Sequence, residues 1–298
     1  MLNLYTGNAL DILKGMESAS VNMVITSPPY FNLRNYKHKD QIGNGSLVDY
    51  FWDLQSVFSE CKRVLKDTGS FWLNISDTTK NGRMLNIPET LVKLLTEDVG
   101  YIKRKTIIWH KPSVLPQGNK NFTTDFEYFY YFAKSDKHVW NCQYEPMQYQ
   151  YKSLEYNGNE TKDYKSHKAQ EPSKTKRKIL EGYRKQKIKY GGNKTSQEVG
   201  GLYSGKVYVP NSEGMRVKRS VWKIPVKPFK GSHFATFPPN LIEPPILACS
   251  NEGDTVLDPF MGSGTVGVVA SRLYRNFIGI DINPDYVDLA ISRLVNHK

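Results

Sequence analysis

Cysteine is scarce. Cys61, Cys142 and Cys249 lie far apart in 298 residues, with no Cys-x-x-Cys pair and no Cys/His spacing, which argues against a disulfide framework or a structural zinc site. Metal ligation is not expected. Long apolar runs are also missing: hydrophobic residues make up 39% of the chain in short stretches, and none reaches the roughly 18 residues that cross a bilayer. The opening Met1-Leu2-Asn3-Leu4-Tyr5 lacks the basic and then apolar pattern of an export signal. These absences predict a cytoplasmic protein with no membrane partner. No Gly-x-x-x-x-Gly-Lys-Ser/Thr sequence is present, so a P-loop nucleotidase is not supported.

Acidic residues are the minority, 29 against 41 Lys and Arg, for a net charge of +12. The excess is local. Residues 151–220 hold 17 basic and 7 acidic side chains with seven tyrosines, and runs such as Lys174-Thr175-Lys176-Arg177-Lys178 show little hydrophobic periodicity. Such a stretch is either a solvated loop or an inserted basic module that meets a polyanion.

On either side, strand and helix signals alternate. Strands are predicted over Leu2–Thr6, Val21–Thr26, Ser70–Ile75, Lys105–Trp109, Glu127–Phe132, Thr255–Leu257 and Phe277–Ile280. Helices are predicted over Ala9–Met16, Tyr50–Leu65, Pro88–Thr96, Gly264–Leu273 and Pro284–Val295, with Asp67-Thr68-Gly69 as a helix stop. The alternation implies an α/β fold built on a mostly parallel sheet with helices on both faces.

Two turns carry chemistry. Val256-Leu257-Asp258-Pro259-Phe260-Met261-Gly262-Ser263-Gly264-Thr265 passes from strand through a tight turn into helix, where glycines allow close approach of backbone to a ligand. Gly262, Gly264 and Gly267 fit Gly-x-Gly-x-x-Gly, and Asp281 ends the next strand, placed to accept hydrogen bonds from ribose hydroxyls. An adenosine-containing cofactor is implied. NAD would bring a pyrophosphate to the helix start, whereas S-adenosylmethionine brings a sulfonium and an amino-acid moiety that Asp258 could serve. The second turn, Thr26-Ser27-Pro28-Pro29-Tyr30, comes directly after a buried strand. The side-chain oxygen of Ser27 and the carbonyl of Pro28 could both accept from one exocyclic NH2 of a base, favouring a tetrahedral nitrogen, with the stiff Pro29 behind them and Tyr30 stacked on the extruded base. By itself the turn could equally be a displayed proline-rich ligand.

Taken together, the turns resemble the permuted amino-group DNA methyltransferases of restriction–modification systems, in which the catalytic half comes first. The resemblance covers nearly the whole chain outside the basic stretch and implies a Rossmann-like S-adenosylmethionine-dependent methyltransferase sheet with an inserted basic target-recognition region. It assigns residues 1–142 to the catalytic half, 143–222 to target recognition and 223–298 to the cofactor-binding half. Ser27, Pro28, Pro29 and Tyr30 are the implied catalytic turn. Asp258, Pro259, Phe260, Gly262, Ser263, Gly264, Thr265 and Asp281 are the implied cofactor site, joined by Phe237 of the segment His233–Ile242 at the methionine end and by Asn8 near the adenine, where the family usually has aspartate. Trp72–Asp77 and Ile108–Pro112 resemble strand ends that line the base pocket.

The implied partner is double-stranded DNA, with a cognate restriction endonuclease. Serine before Pro-Pro-Tyr is commoner in this family among N4-cytosine enzymes, so N4 of cytosine is the expected target and N6 of adenine the alternative. Cytosine C5 methylation needs a cysteine nucleophile, usually after proline, and no cysteine here comes after one. A nicotinamide-linked oxidoreductase, an RNA or protein methyltransferase, and a DNA-binding protein without catalysis are the remaining readings.

Overall fold

The computed structural model describes residues 1–32, 41–114, 121–146, 215–226 and 237–295. Contacts divide the chain into two compact units, residues 1–144 with 217–298, and residues 145–216. Most of the basic stretch, up to residue 214, lies outside the described residues. In the smaller unit Arg216 Nε donates to Glu145 at 3.0 Å.

In chain order the elements are β1 Leu2–Thr6, α1 Ala9–Lys14, β2 Val21–Thr26, α2 Leu47–Val64, β3 Leu65–Ile75, β4 Thr79–Lys80, β5 Arg83–Met84 and α3 Ile87–Lys93. They continue with β6 Ile102–His110, β7 Phe126–Ala133, β8 Tyr144–Pro146, β9 Met215–Val217, β10 Val221–Lys223, α4 Pro239–Cys249, β11 Thr255–Asp258, α5 Thr265–Arg272, β12 Asn276–Asp281 and α6 Pro284–Val295. Among the described residues the main sheet has eight strands, in the order β1-β12-β11-β2-β3-β7-β6-β10. Every pairing is parallel except the two made by β7, which is antiparallel to both β3 and β6.

Alternation along the central strands sorts their side chains onto two faces. On one, Val24, Phe71, Leu73 and Phe132 pack with α1, α2 and α3. On the other, Met23, Ile25, Trp72, Phe129 and Tyr131 pack with α4, α5 and α6. The result is a helix–sheet–helix sandwich, with the alternating αβ connections bringing the carboxyl ends of the parallel strands to one edge. α2 buries Tyr50, Leu54, Val57, Phe58 and Cys61 along one stripe, and it starts from a capping box in which Ser46 and Asp49 satisfy each other's backbone amides.

Two predicted boundaries differ from the structure. Asp67-Thr68-Gly69, read as a helix stop ahead of a strand at Ser70, lies inside the strand: α2 ends at Val64 and β3 begins at Leu65. The helix expected over Pro88–Thr96 closes at Lys93 into a π-helical turn, Leu94–Asp98. Residue 222, the boundary read from the resemblance, falls within β10, whose Trp222 aligns with Trp109 of β6 in the main sheet. Among the described residues no helix is long and apolar enough to cross a membrane.

Candidate active site

β1, β12, β11 and β2 are adjacent and parallel, so their last residues, Thr6, Asp281, Asp258 and Thr26, share one edge of the sheet. Both motif turns leave from this edge, and a hydrogen bond joins their roots: Thr26 Oγ1 donates to Asp258 Oδ1 at 2.6 Å. The same carboxylate oxygen accepts from Phe260 N at 3.1 Å, which curls the turn after β11. Asp258 is 1% exposed, and burial pushes its carboxyl up to about 7 against the opposing effect of these donors. Sequence reading assigns Asp258 to the cofactor site; in the structure its carboxylate also ties β11 to β2 through Thr26.

Asp281 is the better-presented acid. Its Oδ2 accepts from Gly262 N and its Oδ1 from Asn283 N, each at 2.9 Å. The Ile282 amide also bonds the carboxylate, so three backbone donors occupy most of its roughly four acceptor positions. Burial raises its carboxyl to about 6, less than for Asp258 because backbone amides stabilise the anion. Gly7 N donates to the Asp281 carbonyl at 2.9 Å, bringing the turn after β1 alongside. Asn8, at the start of α1, is exposed and uses its side-chain oxygen to cap Leu10 N at 2.9 Å. Its amide oxygen is thus shared with the helix cap.

The glycines of the turn do different work. Gly264 has φ of +75°, and a Cβ there would stand 2.8 Å from Ala290 Cβ of α6. A Cβ at Gly267 would stand 2.6 Å from the Phe277 ring of β12. Both are explained by close packing of α5, whereas Gly262, at φ +49°, presents its amide to Asp281. Ser263 and Thr265 are buried and held from α6: Arg293 Nη1 donates to Ser263 O at 2.5 Å, to Ser263 Oγ at 2.6 Å and to Thr265 Oγ1 at 3.3 Å. Pro259 is buried, and Phe260 packs edge-on against Phe58 at 6.5 Å. Phe237 packs on the α4–α6 face of the core; residues 233–236 of its segment lie outside the described residues.

At the second turn Ser27, Pro29 and Tyr30 are partly exposed and Pro28 is buried. The Pro29 carbonyl accepts from Tyr50 Oη at 2.9 Å, which fixes the turn from α2. Tyr30 Oη donates to Glu127 Oε2 at 2.9 Å, and Lys111 Nζ pairs with Glu127 Oε1. Burial raises the Tyr30 phenol well above its ordinary value, the Glu127 charge adds to the rise, and the Ser27 hydroxyl opposes it as a hydrogen-bond donor. The phenol therefore stays protonated. Trp72 is buried on the α4 face, so it belongs to the core rather than to this edge. Asn74 is buried and donates to Tyr128 O at 3.1 Å, and Asp77 binds the amides of Thr78, Asn86 and Ile87, ordering the start of α3.

Sequence reading singles out neither Glu127 as a site residue nor Arg293 at all. Glu127 lies 16 residues after Lys111 on an antiparallel strand, and Arg293 comes 30 residues after its Ser263 partner. Only the folded connectivity brings them in.

Comparison with known families agrees with this geometry. Residues 21–292 match the model of a DNA methylase family with N6 and N4 members. Type II methyltransferase M.Cfr9I of Citrobacter freundii is 33% identical over 322 residues, covering 98% of this chain and 87% of that protein. The chain therefore belongs to the N6/N4 amino-group DNA methylase family. The fold is shared with PvuII DNA methyltransferase (cytosine-N4-specific), at a TM-score of 0.65, 18% identity and coverage of 98% and 86% of the two chains. It is shared also with the M1.HpyAVI–SAM complex, at a TM-score of 0.58, 20% identity and 99% coverage of each chain.

Proposed function

We propose that this protein is a site-specific DNA methyltransferase of a type II restriction–modification system, which moves a methyl group from S-adenosylmethionine to N4 of cytosine in double-stranded DNA. The observation that carries the reading is the joining of the Ser27–Tyr30 turn and the Asp258–Thr265 turn at one sheet edge through Thr26 and Asp258. Solved relatives are complexed with SAM or described as cytosine-N4-specific, and serine heads the Pro-Pro-Tyr turn here. N6 of adenine is the second target this family admits.

The residues present fit this cosubstrate. Asp281 can accept from a ribose hydroxyl beside its backbone donors, and Asn8 borders the same strand ends for the adenine. Two carboxyl groups, Asp258 and Asp281, near enough that the charge on one raises the other, suit a sulfonium better than a pyrophosphate. Phe237, Pro259, Phe260, Gly262, Ser263, Gly264 and Thr265 form the rest of the proposed cradle. Bound S-adenosylmethionine supplies a methyl group on an electron-poor sulfur.

The chain's own residues prepare the acceptor. Ser27 Oγ and the Pro28 carbonyl accept from the target NH2, drawing its lone pair out of conjugation; as the N–C bond forms the methyl–sulfur bond breaks, the electron pair stays on sulfur, and one N–H proton is released through these acceptors to water. Pro28 and Pro29 fix the backbone that aims them. Tyr30 stacks on the flipped base. Residues 143–222 supply phosphate contacts and base readout, and residues 1–142 and 223–298 are the catalytic and cofactor halves. The protein works in the cytoplasm beside a cognate endonuclease.

Incubation with methyl-labelled S-adenosylmethionine and unmodified duplex DNA of mixed sequence tests this reading. Label should enter duplex DNA and not RNA or protein. Preferential binding of NADH, or label on RNA alone, would sink it. A second expectation concerns Arg293. Its three bonds to Ser263 and Thr265 hold the cradle without reaching the ligand, so Arg293→Met should weaken S-adenosylmethionine binding about tenfold by calorimetry. Wild-type affinity in a folded variant would show that α6 does not set the turn.

A further inference from the structure

We propose that Glu127 and Lys111 are positioning residues that pin the ring of Tyr30 in the plane the target base must stack on; this rests on the role given to Tyr30 above. Three separate elements deliver the groups to one place. Tyr30 lies just beyond β2, Lys111 is next to the last residue of β6, and Glu127 is the second residue of β7, aligned with Trp109 across the β6–β7 ladder. Because β7 runs antiparallel, its start lies at the same edge as the ends of β2 and β6.

Each oxygen of Glu127 has its own donor, the Tyr30 phenol at 2.9 Å and the Lys111 ammonium. The ammonium also lies over the Trp109 ring, 4.5 Å from its centroid. The side chains of Lys111 and Glu127 are only 17% and 12% exposed. Removing two such charges from water costs roughly what their attraction returns, so stability gives no reason to place them here. Geometry gives one. Tyr50 fixes the turn's backbone through the Pro29 carbonyl, which leaves the rotation of the Tyr30 side chain to be restrained, and Glu127 restrains it at the far end of the ring. Stacking needs a face in a set plane, and a misplaced face costs catalysis more than binding.

The test is steady-state methylation of unmodified duplex DNA by Tyr30→Phe, Glu127→Gln, Lys111→Met, Lys111→Arg and the Tyr30→Phe/Glu127→Gln double variant. Tyr30→Phe keeps the ring and loses the anchor, so kcat should fall about tenfold with KM for DNA and S-adenosylmethionine affinity within about twofold of wild type. Glu127→Gln and Lys111→Met should match it, and Lys111→Arg should recover most of the loss. The double variant should be no slower than the worse single one, because both remove the same restraint. Wild-type kcat in Tyr30→Phe and Glu127→Gln alongside an inactive Tyr30→Ala would overturn the positioning role and leave the Tyr30 assignment intact. Multiplying losses in the double variant would overturn it too. Wild-type turnover in Tyr30→Ala would instead remove the reading beneath it. Should Glu127→Gln fail to fold, Tyr30→Phe and the two Lys111 variants still decide the matter.

Discussion

Tyr30→Ala is expected to lower turnover by about two orders of magnitude or more while leaving S-adenosylmethionine affinity unchanged. The ring lies at the end of the turn after β2, and its contacts run to Glu127 and Ser27 rather than to the turn after β11. Its removal takes away the face proposed to hold an extruded base and strands the Glu127 carboxylate without its phenol donor. Neither loss touches the Gly262–Asp281 or Arg293–Ser263 bonds that shape the cofactor cradle. Single-turnover methylation and equilibrium titration with S-adenosylmethionine separate the two effects. A variant that loses cofactor affinity in step with turnover would place Tyr30 in the wrong half of the site.

Asp281→Ala should do the reverse, weakening S-adenosylmethionine binding about thirtyfold or more before any change in the chemical step. In the proposed site the carboxylate serves twice, as an acceptor for the ribose and as the anchor of Gly262 N and Asn283 N. Its raised value also gives the loss a pH signature. Burial brings the Asp281 carboxyl to about 6, and the ionised form is the one that accepts the hydroxyl donor. Affinity should therefore be flat above that value and fall by about tenfold per pH unit below it. In Asp281→Ala the fall in that window should disappear. Asp258 stays in place in the variant, its carboxyl still raised by burial but relieved of the Asp281 charge. A pH profile that survives in Asp281→Ala would transfer the titration to Asp258 and would revise the ribose assignment.

How far the sequence anticipates this architecture depends on the range of the interaction concerned. β2, with its run Val21–Thr26, and α6, with its 3.6-residue stripe, form over the expected residues because local patterning and burial point the same way. α4 is not anticipated: Pro244 and Pro245 stand inside it, and proline normally ends a helix. Leu241, Ile242, Ile246, Ala248 and Cys249 are buried against the sheet, and that packing overrides the local penalty. The site divides in the same manner. Both turns are legible because each is one continuous segment leaving the end of a strand. The Tyr30–Glu127–Lys111 cluster is not, since its members meet only once an antiparallel strand has been inserted into a parallel sheet. Asp258 shows a third case, in which the motif is visible but its carboxylate faces inward, toward Thr26.

The most direct test of the central claim is the identity of the methylated nucleoside. Unmodified duplex DNA treated with the protein and S-adenosylmethionine, digested to nucleosides and analysed by mass spectrometry, should yield N4-methylcytidine in its deoxy form. N6-methyldeoxyadenosine would retain amino-group transfer at the Ser27–Tyr30 turn and reverse the choice of base. Methyl on cytosine C5, or no methylated nucleoside despite bound cofactor, would contradict the account.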